Sequence, residues 1–421
     1  VSASQNITLE IDPVSTSRWT ATDMSWMLSL FGTAVGAGIL FLPINIGIGG
    51  FWPLVIIALI AGPMTYWAHR GLARFVLSSS NKSSDFTDVV EEHFGAKAGR
   101  LISLLYFLSI FPILLIYGVG LTNTTNSFIV HQLHMAEPSR VLLSGILVFG
   151  MITVMMAGEK AMLRAFEIIV YPLSLILAGL SIYLIPSWKA PDFSIVPDTK
   201  DFISTLWLAL PVVVFAFSYT PVISGFTNAQ RRIHGNLATH KTEQILKRTS
   251  VMLLLFVLFF VFSCVLSLTP EQLHQAKAQN VSVLSYLANI HNNHIIMILG
   301  PFIAFIAITS SFLGHFMGAR ESFNGLMHKQ TGWSVRKIDR IGVVVMFFSI
   351  WLVSVLNPSI LGMIEMISGP IIAMILFIMP MVAVYKVDAL KQYRGKTSTI
   401  FVLLMGALAI SAILFSMATQ S

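Results

Sequence analysis

Charge is scarce in this 421-residue chain: only 11% of its residues are Asp, Glu, Lys or Arg, against roughly 25% in an average soluble protein. An ordinary soluble enzyme is excluded, and disorder and nucleic-acid binding go with it, because both need surface charge. Cysteine is scarcer still. The single Cys264 allows no intrachain disulfide and no CxxC metal or redox pair. His131 with His134, and His291 with His294, repeat an i,i+3 spacing without nearby acid clusters, so no metal site is expected. What the chain has instead is apolar mass: 55% hydrophobic residues, with 30 Phe, 8 Trp and 20 Met, and a mean hydropathy of +0.79. Water-facing cores could not hide so much surface, which makes lipid the solvent.

A helix needs about 20 apolar residues to cross the hydrocarbon. Runs of that order, broken by charged or Pro/Gly/Asn clusters, give an all-α polytopic membrane protein with 11 transmembrane helices. They are 24–48, 53–77, 101–130, 141–156, 161–185, 202–226, 251–268, 295–318, 341–356, 360–384 and 399–417. With the amino terminus cytoplasmic, 22 of the 26 Lys and Arg fall in inside loops, and only Arg140, Lys189, Lys200 and Lys277 lie outside. That asymmetry sets the orientation and puts the carboxy terminus on the far, outer side, which is the periplasmic side if the membrane is a bacterial inner membrane. It also explains the net charge of +7 without an acidic partner. Residues 1–22 read as a cytoplasmic segment without a signal peptide, and the first span acts as insertion signal. Two loops carry helical patterns: 85–94 as a short amphipathic helix, and 269–290 as helices over the outer mouth, opening on a Thr-Pro-Glu start.

Span one holds Gly32, Gly36 and Gly38 in mid-membrane, followed by Pro43. Each glycine weakens a helix by about 1 kcal/mol relative to Ala, so a break is expected near 36–38. Close helix packing by small residues is the other reading of the same pattern. Span six carries a second interruption at comparable depth, with Pro211, Ser218, Thr220, Pro221 and Gly225. Pro221 removes a donor and disfavours helix at Thr220. Breaks five spans apart fit an inverted five-plus-five repeat, 23–186 and 201–384, with 397–418 as an added helix. Freed backbone groups are tolerable at that depth only inside protein or against a wet cavity. The amides of Ala37 and Gly38 suit a carboxylate, and the carbonyls around Phe215, Phe217 and Ser218 suit an ammonium, which together describe an amino-acid zwitterion.

At GTAVGAGILFLPINIGIGG, AHRGLARFVLS, LLYFLSIFPILLIYGV, FSCVLSLTPEQL, SFLGHFMGARESFNG and NPSILGMIEMISGPIIAMILF the chain resembles the hydroxy/aromatic amino acid permease family of bacterial inner membranes, within the amino acid-polyamine-organocation superfamily. The likeness is greatest to its serine/threonine permease branch. It implies a LeuT-like fold and cation-driven uptake, by proton or in related folds by sodium, with no cofactor beyond a bound sodium ion. Carried over residue by residue, Ala37 and Gly38 would hold the substrate carboxylate. The carbonyls of Gly32 and Val35 and the hydroxyls of Thr309 and Ser310 would line a cation site. The chain departs from the branch in having Ser310 where the branch carries a lysine, and Ser218-Tyr219 where it carries Asn-His or Asn-Phe.

The substrate set is therefore Thr33, Gly36, Ala37 and Gly38 in span one, Tyr117 in span three, Phe215, Phe217, Ser218, Tyr219 and Thr220 in span six, and Ser311 in span eight. Tyr117 serves equally as a packing residue. Glu365 is a carboxylate inside span ten, where an ionised side chain costs at least about 2.5 kcal/mol. It is an ion-coupling candidate, with gating or a structural hydrogen bond as alternatives. His315 shares a helical face with Ser311, and histidine is the side chain that changes charge near neutral pH; a packed histidine is the plainer reading. Arg164 and Glu167 at the inner end of span five read as gate or snorkelling charges. The function expected is import of a small neutral amino acid across the inner membrane by a monomer, with an aromatic amino acid as the alternative substrate. An enzyme would need acids, histidines or a nucleophile clustered at one depth. A channel would pass current without substrate.

Overall fold

The computed structural model describes residues 19–81, 84–156, 159–190, 198–290 and 294–420, and among these residues there is no strand. The helices follow the apolar runs. Span one is two helices, α1 (Ala21–Ala34) and α2 (Ala37–Gly47), bent by 51° at their junction. They are followed by α3 (Phe51–Leu77), α4 (Phe86–Ser127), α5 (Arg140–Met156) and α6 (Glu159–Tyr183). Span six is again two helices, α7 (Thr199–Ala216) and α8 (Thr220–His234). The remainder are α9 (Ala238–Ser267), α10 (Pro270–Ala278), α11 (Val283–Ile290), α12 (His294–Thr331), α13 (Val335–Leu356), α14 (Ile360–Lys386, with two π-helical stretches) and α15 (Thr397–Gln420).

Nine of the eleven runs follow single helices to within two residues, and those of spans one and six each cross a break between two helices. Counting the bent pair as one, nine are long and apolar enough to cross a bilayer among the described residues, while 140–156 and 397–412 are shorter apolar helices. Leu59, Phe149, Leu175, Leu255 and Leu356 stand exposed on the flanks of the bundle, a surface that only lipid solvates. We call the face bearing α10 and α11 the cap side, and the face where α1 begins the basic side.

Both patterned loops are helical. The 85–94 segment forms the first turns of α4: Asp85 caps it, Val89 and Val90 are buried, and Gly95, at φ +79°, turns the chain into the long part of the helix. That left-handed angle is where glycine is needed. On the cap side Thr269 caps α10 in a capping box with Gln272. Asn280 then ties the cap to α14, donating to Pro358 O at 2.9 Å and accepting from the Ile360 amide at 2.9 Å.

The long helix α12 runs beside α4 and α1, and α7 packs on α2 and α14. Both breaks therefore face α12 or each other in the middle of the bundle.

Candidate functional site

The first break falls at Val35 and Gly36, one or two residues earlier than glycine density suggests, and Ala37 and Gly38 already begin α2. The Leu40 amide bonds Gly36 O at 3.3 Å as the first rung of α2, which leaves the amides of Ala37, Gly38 and Ile39 ahead of it. On the other side of the break, the carbonyls freed from α1 are met by span eight: Ser310 Oγ lies 3.3 Å from Gly32 O, and Ser311 Oγ donates to Thr33 O at 2.5 Å.

The second break spans 217–219. In an unbroken helix the Tyr219 and Thr220 amides would reach Phe215 O and Ala216 O. Here the Tyr219 amide donates to His69 Nε2 at 3.1 Å, and the Thr220 amide approaches Ser218 Oγ at 3.4 Å. Pro221 has no N–H to offer Phe217 O. The carbonyls of Ala216 and Phe217 thus lose their helical partners, which leaves an electron-rich end on α7, the helix that packs on α2.

The two breaks touch. A Cβ added at Gly38 would stand 2.6 Å from Ala216 Cα and 2.6 Å from the Phe215 ring, and one at Gly36 would run into the Ser311 side chain and come to 3.1 Å from the Tyr117 hydroxyl. Tyr117 and Ser311 are hydrogen-bonded at 2.6 Å. Because the one Ser311 proton goes to Thr33 O, the Tyr117 hydroxyl is the donor of that pair. His315 sits one turn on, its Nδ1 2.8 Å from Ser311 O and its ring edge-on to Tyr117 at 5.2 Å. Thr33, Gly36, Gly38, Tyr117, Phe215, Ser311 and His315 are accordingly one cluster. In Tyr117→Phe the Ser311 oxygen loses its donor, worth about 1 kcal/mol; we expect substrate KM to rise about fivefold with little change in the amount of folded protein, measured by uptake and by quantitative blotting.

Other expected residues are placed differently. Tyr219 is fully buried and turned into the bundle, stacked on His69 at 3.6 Å, with its hydroxyl 3.2 Å from Ser250 Oγ. Ser218 and Thr220 hydrogen-bond each other through their hydroxyls at 2.9 Å, and Phe217 is buried at the end of α7. Thr309 Oγ1 is buried and has no hydrogen-bond partner among the described residues. Glu365 lies in the first π-helical stretch of α14, five residues from its start, or roughly 7–8 Å at 1.5 Å per residue. It accepts from Asn45 Nδ2 of α2 at 2.9 Å. It is therefore near the cap side, well away from the breaks. The side chains of Arg164 and Glu167 lie outside the described residues.

Sequence reasoning missed three features. His69 lies within the 53–77 run beside Arg70, and nothing in the sequence sets it apart. Asn45 and Glu365 are 320 residues apart. The third is a polar cavity of about 610 Å³ on the cap side, lined by Asn123, Glu137, Arg140, Gln275, Tyr286 and Asn357 among others.

The family described as "Transmembrane amino acid transporter protein" matches residues 19–420. The serine transporter SdaC of Escherichia coli (strain K12) is 52% identical over 414 residues, covering 96% of each chain. The threonine/serine transporter TdcC of Escherichia fergusonii is 36% identical over 426 residues, covering 95% of this chain and 96% of that one. Among solved structures, MhsT in complex with L-phenylalanine superposes with a TM-score of 0.63 over 94% of this chain and 98% of that chain, at 16% identity, a likeness of fold. The broken spans one and six and the all-helical bundle are those of a LeuT-like carrier, and with a family match along nearly its whole length, this chain belongs to the transmembrane amino acid transporters, on their serine/threonine permease branch.

Proposed function

We propose that this protein is a secondary active importer of a small neutral amino acid, serine first, working by cation symport and alternating access in a bacterial inner membrane. The observation that carries the reading is the contact of the two breaks at Gly38 and Ala216, which sets the start of α2, with its unpaired amides, beside the end of α7, with its released carbonyls. A zwitterion satisfies both ends with no side-chain charge. Tyr117 and Ser311 beside Gly36 suit a short, hydroxylated side chain, and the serine and threonine transporters among the relatives agree with it. In this reading the cap side is periplasmic and the basic side cytoplasmic, and the carrier acts as a monomer. α1, α2, α3, α7, α8 and α9 rock against α4, α5, α12 and α13.

The coupling cation is proton or sodium. The carbonyls of Gly32 and Val35 with the hydroxyls of Thr309 and Ser310 are neutral oxygen donors that would fit sodium, and the buried, unpartnered Thr309 hydroxyl supports that use. Glu365, held by Asn45, joins span ten to the cap-side half of span one and is a gate or a proton carrier.

Purified protein in liposomes tests this. Labelled serine should accumulate under an inward sodium gradient or an inward proton gradient, and serine and threonine should compete. Selective competition by tryptophan would replace the substrate with an aromatic amino acid, and equal serine inside and out under both gradients would remove symport. Sodium coupling predicts that Ser310→Lys abolishes sodium dependence, since an ammonium would take the ion's place beside Gly32 O. Glu365→Gln can still accept from Asn45: as a gate it keeps full accumulation, and as the proton carrier it loses proton-driven accumulation while retaining exchange.

A further inference from the structure

His69 is in none of the expected substrate, ion-coupling or gating sets, yet it is the side chain that meets the second break from outside span six. It is fully buried on α3, and its two ring nitrogens are assigned by their neighbours. Nδ1 lies 2.7 Å from Thr65 O. A carbonyl only accepts, so Nδ1 carries the proton. Nε2 lies 3.1 Å from the Tyr219 amide. An amide only donates, so Nε2 is the bare acceptor. The ring also stacks on Tyr219, with centroids 3.6 Å apart and planes 17° from parallel. Tyr219 is thereby held through its amide and ring by α3 and through its hydroxyl by Ser250 of α9.

We propose that His69, as a neutral imidazole protonated on Nδ1, is the positioning residue of the span-six break, taking the Tyr219 amide so that the 217–219 turn stays open. The physical reason is competition for one donor. Without an acceptor at His69, the Tyr219 amide is either left unpaired in a buried site or drawn back toward Phe215 O, the partner it would have in a continuous helix. Drawing it back winds the turn closed and re-aims the carbonyls of Ala216 and Phe217. His69 touches no substrate; it acts through Tyr219 on the backbone that does. This rests on reading the break as the substrate site.

Two measurements test it. Solid-state NMR of histidine-labelled protein in lipid at neutral pH, with the His69 signals assigned by their loss in His69→Gln, should show the Nδ1–H tautomer. The Nε2–H tautomer or an imidazolium overturns the proposal whatever the protein transports. In liposomes, His69→Phe keeps a stackable ring without the acceptor and should raise KM about tenfold with maximal rate per folded molecule within about threefold, while His69→Gln, whose Oε1 can take the same amide, should stay within about threefold of wild type in KM. A purely structural histidine would lower the folded yield of both variants and leave KM unchanged, which also overturns it. The His69→Gln comparison and the NMR stand if His69→Phe does not fold. Should wild type carry an amino acid other than serine, the same KM comparison is made with that amino acid, so the substrate assignment and the role of His69 fail separately.

Discussion

Gly38→Ala is expected to reach the membrane and to lose substrate accumulation almost completely. The added Cβ meets the backbone at Ala216, 2.6 Å away, as well as the Phe215 ring, so no side-chain rotation relieves it and α2 must move off α7. Overpacking of a tight contact costs about 1–3 kcal/mol. Here that cost falls where the two breaks touch, and in the proposed reading a small separation misplaces the amides and carbonyls relative to one zwitterion. Uptake should fall at least about tenfold, while the yield of folded protein after detergent extraction falls much less. Gly225→Ala on α8 is the matching control, because a Cβ there has nothing within 4 Å. It should transport as wild type, with a small gain in helix stability. Equal uptake by Gly38→Ala and Gly225→Ala would mean that the contact between the breaks has no part in transport.

The contrast between those two glycines marks what can be read from sequence. Lipid imposes a length on every spanning segment and forbids unpaired backbone against it, so the apolar runs and the two midspan interruptions are legible from composition and from Gly and Pro alone. The first break was expected at 36–38 and begins at Val35, because Gly36 serves as the cap and Ala37 as the first helical residue of α2. Which glycine touches what is a matter of packing, and nothing local separates Gly38 from Gly225. The cluster of Thr33, Gly36, Tyr117, Ser311 and His315 was reachable, since each is a polar or small residue inside an apolar run. The sequence puts Tyr219 in the substrate set, whereas its stacking on His69 depends on a partner 150 residues away. Glu365 reads from sequence as a carboxylate inside a span; its distance from the breaks follows from where α14 starts and from the bond to Asn45. Long-range polar pairs carry no signature in a single sequence.

A buried pair of this kind sets up the second large effect. Asp23 and Lys241 meet at 2.6 Å with side chains 1% and 3% exposed, joining the first turn of α1 to the first turns of α9. Asp23 also receives the Thr20 amide at 2.9 Å, so one carboxylate both caps α1 and anchors it. Two charges taken from water at this depth gain little over an apolar pair of equal volume, yet removing one partner strands the other, typically at about 3–5 kcal/mol. The pair lies at the basic side, close to the membrane surface, which favours the lower figure. Lys241→Met should therefore lower the thermal unfolding midpoint in detergent sharply, and Asp23→Asn should do so less, because the amide still accepts from Thr20 and the buried lysine has a long stem on which its ammonium can swing towards water. The double variant should recover most of the loss from Lys241→Met. Losses that simply add would mean that the two charges do not stabilise each other. In transport the expected signature is different in kind. The pair holds the foot of α1 to α9, so the double variant, stable but unanchored, should let α1 swing more freely, raising the rate of substrate exchange relative to net accumulation.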